Sequence, residues 1–166
     1  MVLSLPGPER VLPLALRPLN GLPAPLVSQI VPRLAEIFLS EPLGDGELEP
    51  LEGRRLDLFV EDIPFRCAFT MENGHLVWSR HEHPDVTIRG ETLAFLALAG
   101  GAMDADTLFF RRRICVEGDV ALGLTVKNLL DGYQPHLQLP TPLRHLLETM
   151  AGRAAAQLHR QGPAAN

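Results

Sequence analysis

The stretch DTLFFRRRICVEGDVALGLTVKNLLDGY, Asp106–Tyr133, decides the fold because its strand and its helix both need an apolar partner. Ile114 and Val116 alternate with polar neighbours, which is the period-two pattern of a half-buried strand. Asp119 stands at an N-cap position, and the helix that follows it to Asp131 is apolar nearly all round. Such a helix is either a central core helix or the wall of an apolar cavity, and general burial tendencies favour the core helix.

Other strands are predicted upstream by alternating apolar residues, and Asn73-Gly74 between two of them is the strongest short hairpin signal. The predicted strands are Arg55–Val60, Arg66–Met71, His75–Ser79, Val86–Arg89 and Arg112–Gly118. Strands in a meander, with helices segregated to one side, are typical of an α+β fold.

Helical patterns predict three further helices. Leu26–Phe38 is amphipathic, and its Pro32 should bend or interrupt it. Glu91–Ala99 is nearly all apolar after two residues and stops at Gly100-Gly101. Thr141 supplies an N-cap, and a proline follows it at the first position of a C-terminal helix. The polar segment 40–53 between the first helix and the strands is predicted as a loop.

The two ends of the chain leave several interpretations open. Residues 1–25 contain six prolines among many apolar residues, which predicts an extended arm on its own domain, a second copy or a bilayer surface. The C-terminal helix has an apolar stripe and a basic polar face. It is expected to pack on its own domain or on a twin subunit in a homodimer. The alternatives are an anionic bilayer and a protein partner.

Composition excludes several classes of function. A net charge of −5 and a pI near 5.6 argue against nucleic-acid binding, which needs a basic surface. No apolar run is long enough for a membrane span, and the proline-rich start does not resemble a secretory signal. Two cysteines, Cys67 and Cys115, make no disulfide framework, so a reducing cytosol is expected.

Catalytic and metal sites have little support in the sequence. Phosphate-loop, dinucleotide and nucleophile-elbow motifs are absent, so we predict no enzyme activity and no cofactor. Asp104 and Asp106 are predicted to lie in a turn that caps the next segment. His75, His81 and His83 lack the tight spacing of zinc ligands and are expected to be solvated loop residues.

The basic run Arg111-Arg112-Arg113 directly follows Phe109-Phe110 and has two interpretations of about equal weight. In the first, one arginine faces solvent, one binds a carboxylate, and the aromatic rings enter the core. In the second, the guanidinium groups hold an anionic lipid headgroup, for which their geometry is suited. The apolar residues before them would then line the entrance for an acyl or prenyl chain.

Four segments carry a resemblance to the sterol carrier protein type 2 family. They are LFFRRRICVEGDVALGLTVKNLLD, GDGELEPLEGRRLDLFVED at Gly44–Asp62, NGHLVWSR at Asn73–Arg80 and DVTIRGETLAFLALAGG at Asp85–Gly101. In order and spacing they cover residues 26–138, between the arm (1–25) and the C-terminal helix and tail (139–166). Within the family the chain is most similar to the UbiT-type accessory factors of oxygen-independent ubiquinone synthesis.

The resemblance implies a five-stranded, mainly antiparallel sheet covered by helices, with a hydrophobic tunnel between the two layers. It implies a lipid ligand, either a phospholipid or a polyprenylated quinone precursor, and partner hydroxylases of the UbiU–UbiV type. Contact with the inner face of the membrane is also consistent with it. A chain that presents lipids in this way is an accessory protein and catalyses nothing itself.

The side chains expected to line the tunnel are Phe69, Trp78, Phe95, Leu96, Phe109, Leu122, Val126 and Leu129. Arg111, Arg112 and Arg113 are expected to meet the headgroup. Two alternatives stay open: a protein–protein scaffold with a closed core, and a hydrolase or transferase acting on lipid thioesters. The second lacks a visible nucleophile–base pair.

Overall fold

The predicted strands and helices of the described ranges follow one another in the expected order, with one further short helix at Ala105–Phe110. The computed structural model describes residues 49–63, 65–79, 83–132 and 140–162. After a short 3₁₀ turn at Glu49–Leu51, the elements are β1 Leu56–Val60, β2 Phe65–Glu72, β3 His75–Trp78, β4 Val86–Gly90, α1 Thr92–Ala99, α2 Ala105–Phe110, β5 Ile114–Gly118, α3 Val120–Gly132 and α4 Thr141–Gln161. None of the helices in these ranges is long and apolar enough to cross a membrane.

The five strands form one sheet in the order β3-β2-β1-β4-β5. β1 and β4 are parallel, and the other neighbouring strands are antiparallel. This arrangement confirms the predicted α+β class and the mainly antiparallel sheet. The predicted hairpin is also confirmed, because Asn73 and Gly74 both have the positive φ angles, 53° and 79°, that a two-residue type I′ turn requires.

The register of the strands gives the sheet one apolar and one polar face. Leu58 lies beside Cys67 and Ile88. Leu58 and Ile88 contribute to the main core, which also contains residues of the helices, and Cys67 belongs to a smaller cluster of strand residues. On the opposite face Asp57 lies beside Ala68 and has no exposed surface. The described helices share a core with the face that carries Leu58 and Ile88.

Helices α1 and α4 close the core through small side chains. Ala94 and Ala97 on α1 are fully buried, as are Ala154 and Leu158 on α4. A Cβ atom at Gly100 would collide with the Cβ of Ala151, so the two helices approach closely where α1 ends. The second half of the C-terminal helix thus packs on its own domain.

Most predicted boundaries in the described ranges differ from the observed ones by one or two residues, and the starts of β5 and α4 are two of these differences. β5 begins at Ile114 instead of Arg112, because Arg112 has a φ of 55° and the backbone turns there. Thr141 is the first helical residue, and Pro140 occupies the cap position without a side-chain hydrogen bond. The arm predicted at 1–25, the helix predicted at Leu26–Phe38 and the residue His81 lie outside the described residues.

Candidate functional site: an apolar groove beside the last strand

A groove of about 450 Å³ lies between α2, α3 and the end of β5. Its volume is within the usual range for small-molecule sites. Its apolar walls are interrupted by three charged side chains and two glycines. The lining residues are Phe109, Val116, Glu117, Gly118, Asp119, Val120, Gly123, Leu124 and Lys127.

Helix α3 presents a different apolar surface to the core and to the groove. Asp119 caps its first turn by accepting a hydrogen bond from the backbone N–H of Leu122 at 3.0 Å, as predicted. At 100° per residue, Val120 and Leu124 lie on the side opposite Leu122 and Val126. Leu122 and Val126 are buried in the core, whereas Val120 is 86% and Leu124 57% exposed. The helix is therefore both a core helix and the wall of a groove.

Gly123 keeps the floor of the groove low. A Cβ atom at this position would stand 3.3 Å from Cγ1 of Val116, which is tighter than ordinary van der Waals contact. The missing side chain lets α3 approach β5 closely and leaves space above Val116. Glycine in a helix interior costs about 1 kcal/mol relative to alanine, so the close approach has a price in helix stability.

Lys127 marks one end of the groove. Its Nζ donates to Asp106 on α2 at 2.7 Å and to Asp131 on its own helix, and it lies 5.6 Å from the centre of the Phe109 ring. The hydrogen bond to Asp106 is the main reason why the pKa of Lys127 is raised, and Asp131 adds to it. The ammonium group stays charged at neutral pH and links α2 to α3.

The predicted lining residues fall into three separate places. Phe109 lines the groove. Phe69 and Trp78 make an edge-to-face pair at 6.5 Å in a smaller cluster near β3. The others belong to the main core, either buried within it or packed against it: Phe95, Leu96, Leu122, Val126 and Leu129. Their contact with a lipid chain stays a prediction.

The three consecutive arginines do not converge on one point. Arg113 is buried, donating to the carbonyl oxygen of Gly162 at 2.7 Å and lying 3.4 Å from Glu91. Arg112 is exposed, and Arg111 is half-buried. Phe110 is 94% exposed, so the interpretation that sent both rings to the core is wrong for this residue. The headgroup role of the arginines stays a prediction, and Arg113 could take it only by leaving its present partners.

Sequence reasoning missed most of the groove. The sequence predicts this helix only as apolar nearly all round, which does not single out Val120, Leu124 or Lys127. One signal could have revealed it: this helix carries apolar residues on two opposite sides. A sheet can cover only one of these sides, so the other must face another apolar surface or a groove. The end of β5 could not be placed beside α2 without the tertiary structure.

The described part of the chain contains no candidate metal centre, and one of its two cysteines is a buried thiol. No group of three His, Cys, Asp or Glu residues within 49–63, 65–79, 83–132 and 140–162 could hold a metal ion. Burial raises the pKa of the Cys67 thiol to about 12, and the charge of Asp57 adds to this. Cys67 is thus a protonated core side chain at neutral pH.

Comparison with known proteins agrees with the fold and with the sequence segments. Residues 34–131 match the model of the SCP-2 sterol transfer family. The chain belongs to this family. It is 39% identical over 134 residues to the ubiquinone biosynthesis accessory factor UbiT of Escherichia coli K12, covering 81% of the chain and 76% of that protein. The UbiT of Escherichia coli O157:H7 matches to the same extent.

A solved structure shares the SCP-2 fold. The UbiJ-SCP2 ubiquinone synthesis protein has a TM-score of 0.50 at 18% identity, covering 66% of this chain and 97% of that one. At this identity the likeness concerns the fold alone. It supports the mixed five-stranded sheet with its helical layer.

Proposed function

We propose that this protein is a lipid-binding accessory factor of ubiquinone biosynthesis which holds an apolar chain in the groove between α2, α3 and β5. Family membership and the 39% identity to UbiT support the class of function. The observation that carries the proposal is the exposure of Val120 and Leu124 on the lip of a preformed apolar groove.

The energetics favour a lipid as occupant. Burying a large aliphatic side chain away from water is favourable by about 1.5–3 kcal/mol of free energy. Burial of the ligand contributes more free energy, because each isoprenoid unit removed from water contributes about 4 kcal/mol, at ~0.8 kcal/mol per carbon. A long prenyl or acyl chain along α3 would shield both surfaces at once.

The setting that we propose is oxygen-independent ubiquinone synthesis. The ligand would be a phospholipid or a polyprenylated intermediate whose ring is presented to hydroxylases of the UbiU–UbiV type. The protein would act in the cytosol, with peripheral contact at the inner face of the membrane. Arg111 and Arg112, which follow the groove residue Phe109, are our candidates for the headgroup. The protein itself would catalyse no reaction.

A protein–protein scaffold is the second candidate function. It is favoured by the packing of Leu122, Val126 and Leu129, which are buried in the main core instead of facing a cavity. In that case the groove would receive a side chain of a partner protein, and the purified protein would carry no lipid.

The test compares two leucines that are equally exposed. Leu124 and Leu146 are both 57% exposed, but only Leu124 lines the groove. We expect Leu124→Asp to reduce co-purifying lipid at least several-fold, because it puts a charge against the chain. Leu146→Asp should retain wild-type lipid. Organic extracts of both variants are quantified by mass spectrometry, with melting temperature as the check on folding.

Either of two results would contradict the proposal. If the wild-type protein purifies without lipid, the scaffold function is favoured. If both variants lose lipid equally, the lipid does not bind in the groove. Leu122→Asp is a poorer test, because Leu122 is buried and a charge there would unfold the core before it reported on lipid.

A further inference from the structure

We infer that Lys127 is a strap across the end of the groove which determines how far an apolar chain can lie along α3. This inference rests on the proposed function. Closed, the strap joins α2 to α3 and stops the chain at Phe109. Open, it lets the chain pass between the two helices.

The position of Lys127 follows from helix geometry. Val120, Gly123, Leu124 and Lys127 are spaced at i, i+3, i+4 and i+7, so they form one continuous stripe on α3. The stripe is about 10 Å long at 1.5 Å per residue. Lys127 is its last groove residue, and its ammonium group reaches across to Asp106 on α2.

The surface beyond the strap is partly apolar. Leu130 follows Lys127 by one turn and is half-buried against the main core. Asp131 lies beside it on the same side of α3, where its carboxylate pairs with Lys127. A chain that passed Lys127 would therefore contact Leu130 along the edge of the main core, next to this carboxylate.

The strap can open at small cost. The side chain of Asp106 is 73% exposed and that of Lys127 36%, and ion pairs with such exposure contribute little to stability. Ala105 and Leu108 hold α2 on the core, so opening requires only movement of the Lys127 side chain and the Phe109 ring. Asp131 can keep the ammonium paired on α3 while the link to α2 is broken.

The two carboxylate partners of Lys127 offer a matched pair of variants. Asp106→Asn weakens the link between helices, whereas Asp131→Asn weakens only a pair within α3. Uptake and release of a long-chain fluorescent polyene fatty acid are measured by stopped flow. We expect release to become about two- to five-fold faster in Asp106→Asn, the range expected for an exposed ion pair, and to stay near the wild-type rate in Asp131→Asn.

A second readout does not depend on lipid. In the ligand-free protein, NMR relaxation should show a more mobile Lys127 side chain and Phe109 ring in Asp106→Asn than in Asp131→Asn. If both variants bind the probe with the same rates and show the same side-chain mobility, the inference about the strap is wrong, but the groove is unaffected. If the wild-type protein takes up no probe, the proposed function fails and the inference fails with it.

Discussion

Asp57 shows at the scale of one residue how the polar face of the sheet is held. Its carboxylate has no exposed surface and accepts two hydrogen bonds from Arg55, at 2.5 and 3.0 Å. Arg66 lies 3.7 Å away and stacks over the Phe59 ring. A buried carboxylate is tolerated only with partners of this kind. The hydrogen bond with Asp57 in turn raises the pKa of Arg55.

Removing this carboxylate should destabilise the sheet. In Asp57→Ala the largely buried Arg55 guanidinium loses its counter-charge, so we expect the free energy of unfolding to fall by about 2–4 kcal/mol. Urea unfolding followed by circular dichroism measures the change. Arg66→Ala is the comparison and should cost less, because that side chain is 55% exposed. Equal stability of Asp57→Ala and wild type would show that the pair is not structural.

Helix α2 shows at the scale of one element how a short segment is fixed beside the groove. Asp104 accepts hydrogen bonds from the backbone N–H of Thr107 at 2.7 Å and from its hydroxyl at 2.8 Å. The backbone hydrogen bond is the main reason why the pKa of Asp104 is lowered. The prediction that Asp104 caps the following segment is thus confirmed, and the segment is a helix.

Loss of this cap should be pH-dependent. Asp104→Ala is expected to lower the free energy of unfolding by about 1 kcal/mol at neutral pH. Because the folded-state pKa is depressed, the stabilisation is present above the unfolded pKa and disappears as the pH falls through the folded one. Thermal melts of both proteins across acidic and neutral pH measure this difference. A difference that grew on acidification would contradict the assignment.

Local sequence signals correctly predict those element ends whose conformation depends on only one or two residues. The Asn73-Gly74 turn and the Asp119 cap were read correctly because their backbone conformations depend on local chemistry. The start of β5 could not be predicted in this way. Nothing in a run of three arginines indicates that the backbone of the middle one, Arg112, has a positive φ angle. Which side of α3 faces the core was also undetermined, because both sides are apolar.

At the scale of the whole molecule, the groove exists because distant segments meet. β5 places Val116 below α3, and α2 brings Phe109 and Asp106 to its other side. Sequence patterns predict the strands and the other described helices but not α2, and they do not predict contacts between elements. The tunnel between sheet and helices was an expectation that came from the family resemblance. In the structure the inner side of α3 packs on the core, and the open apolar surface lies on its outer side.

The most direct measurement of the central claim is photo-crosslinking with a fatty acid that carries a diazirine within its chain. After irradiation of the loaded, full-length protein, modified peptides are mapped by mass spectrometry. We predict adducts concentrated on Phe109 and on residues 116–127, and strongly reduced in Leu124→Asp but not in Leu146→Asp. Adducts centred on Phe69 and Trp78, or unchanged in Leu124→Asp, would contradict the assignment of the lipid to this groove.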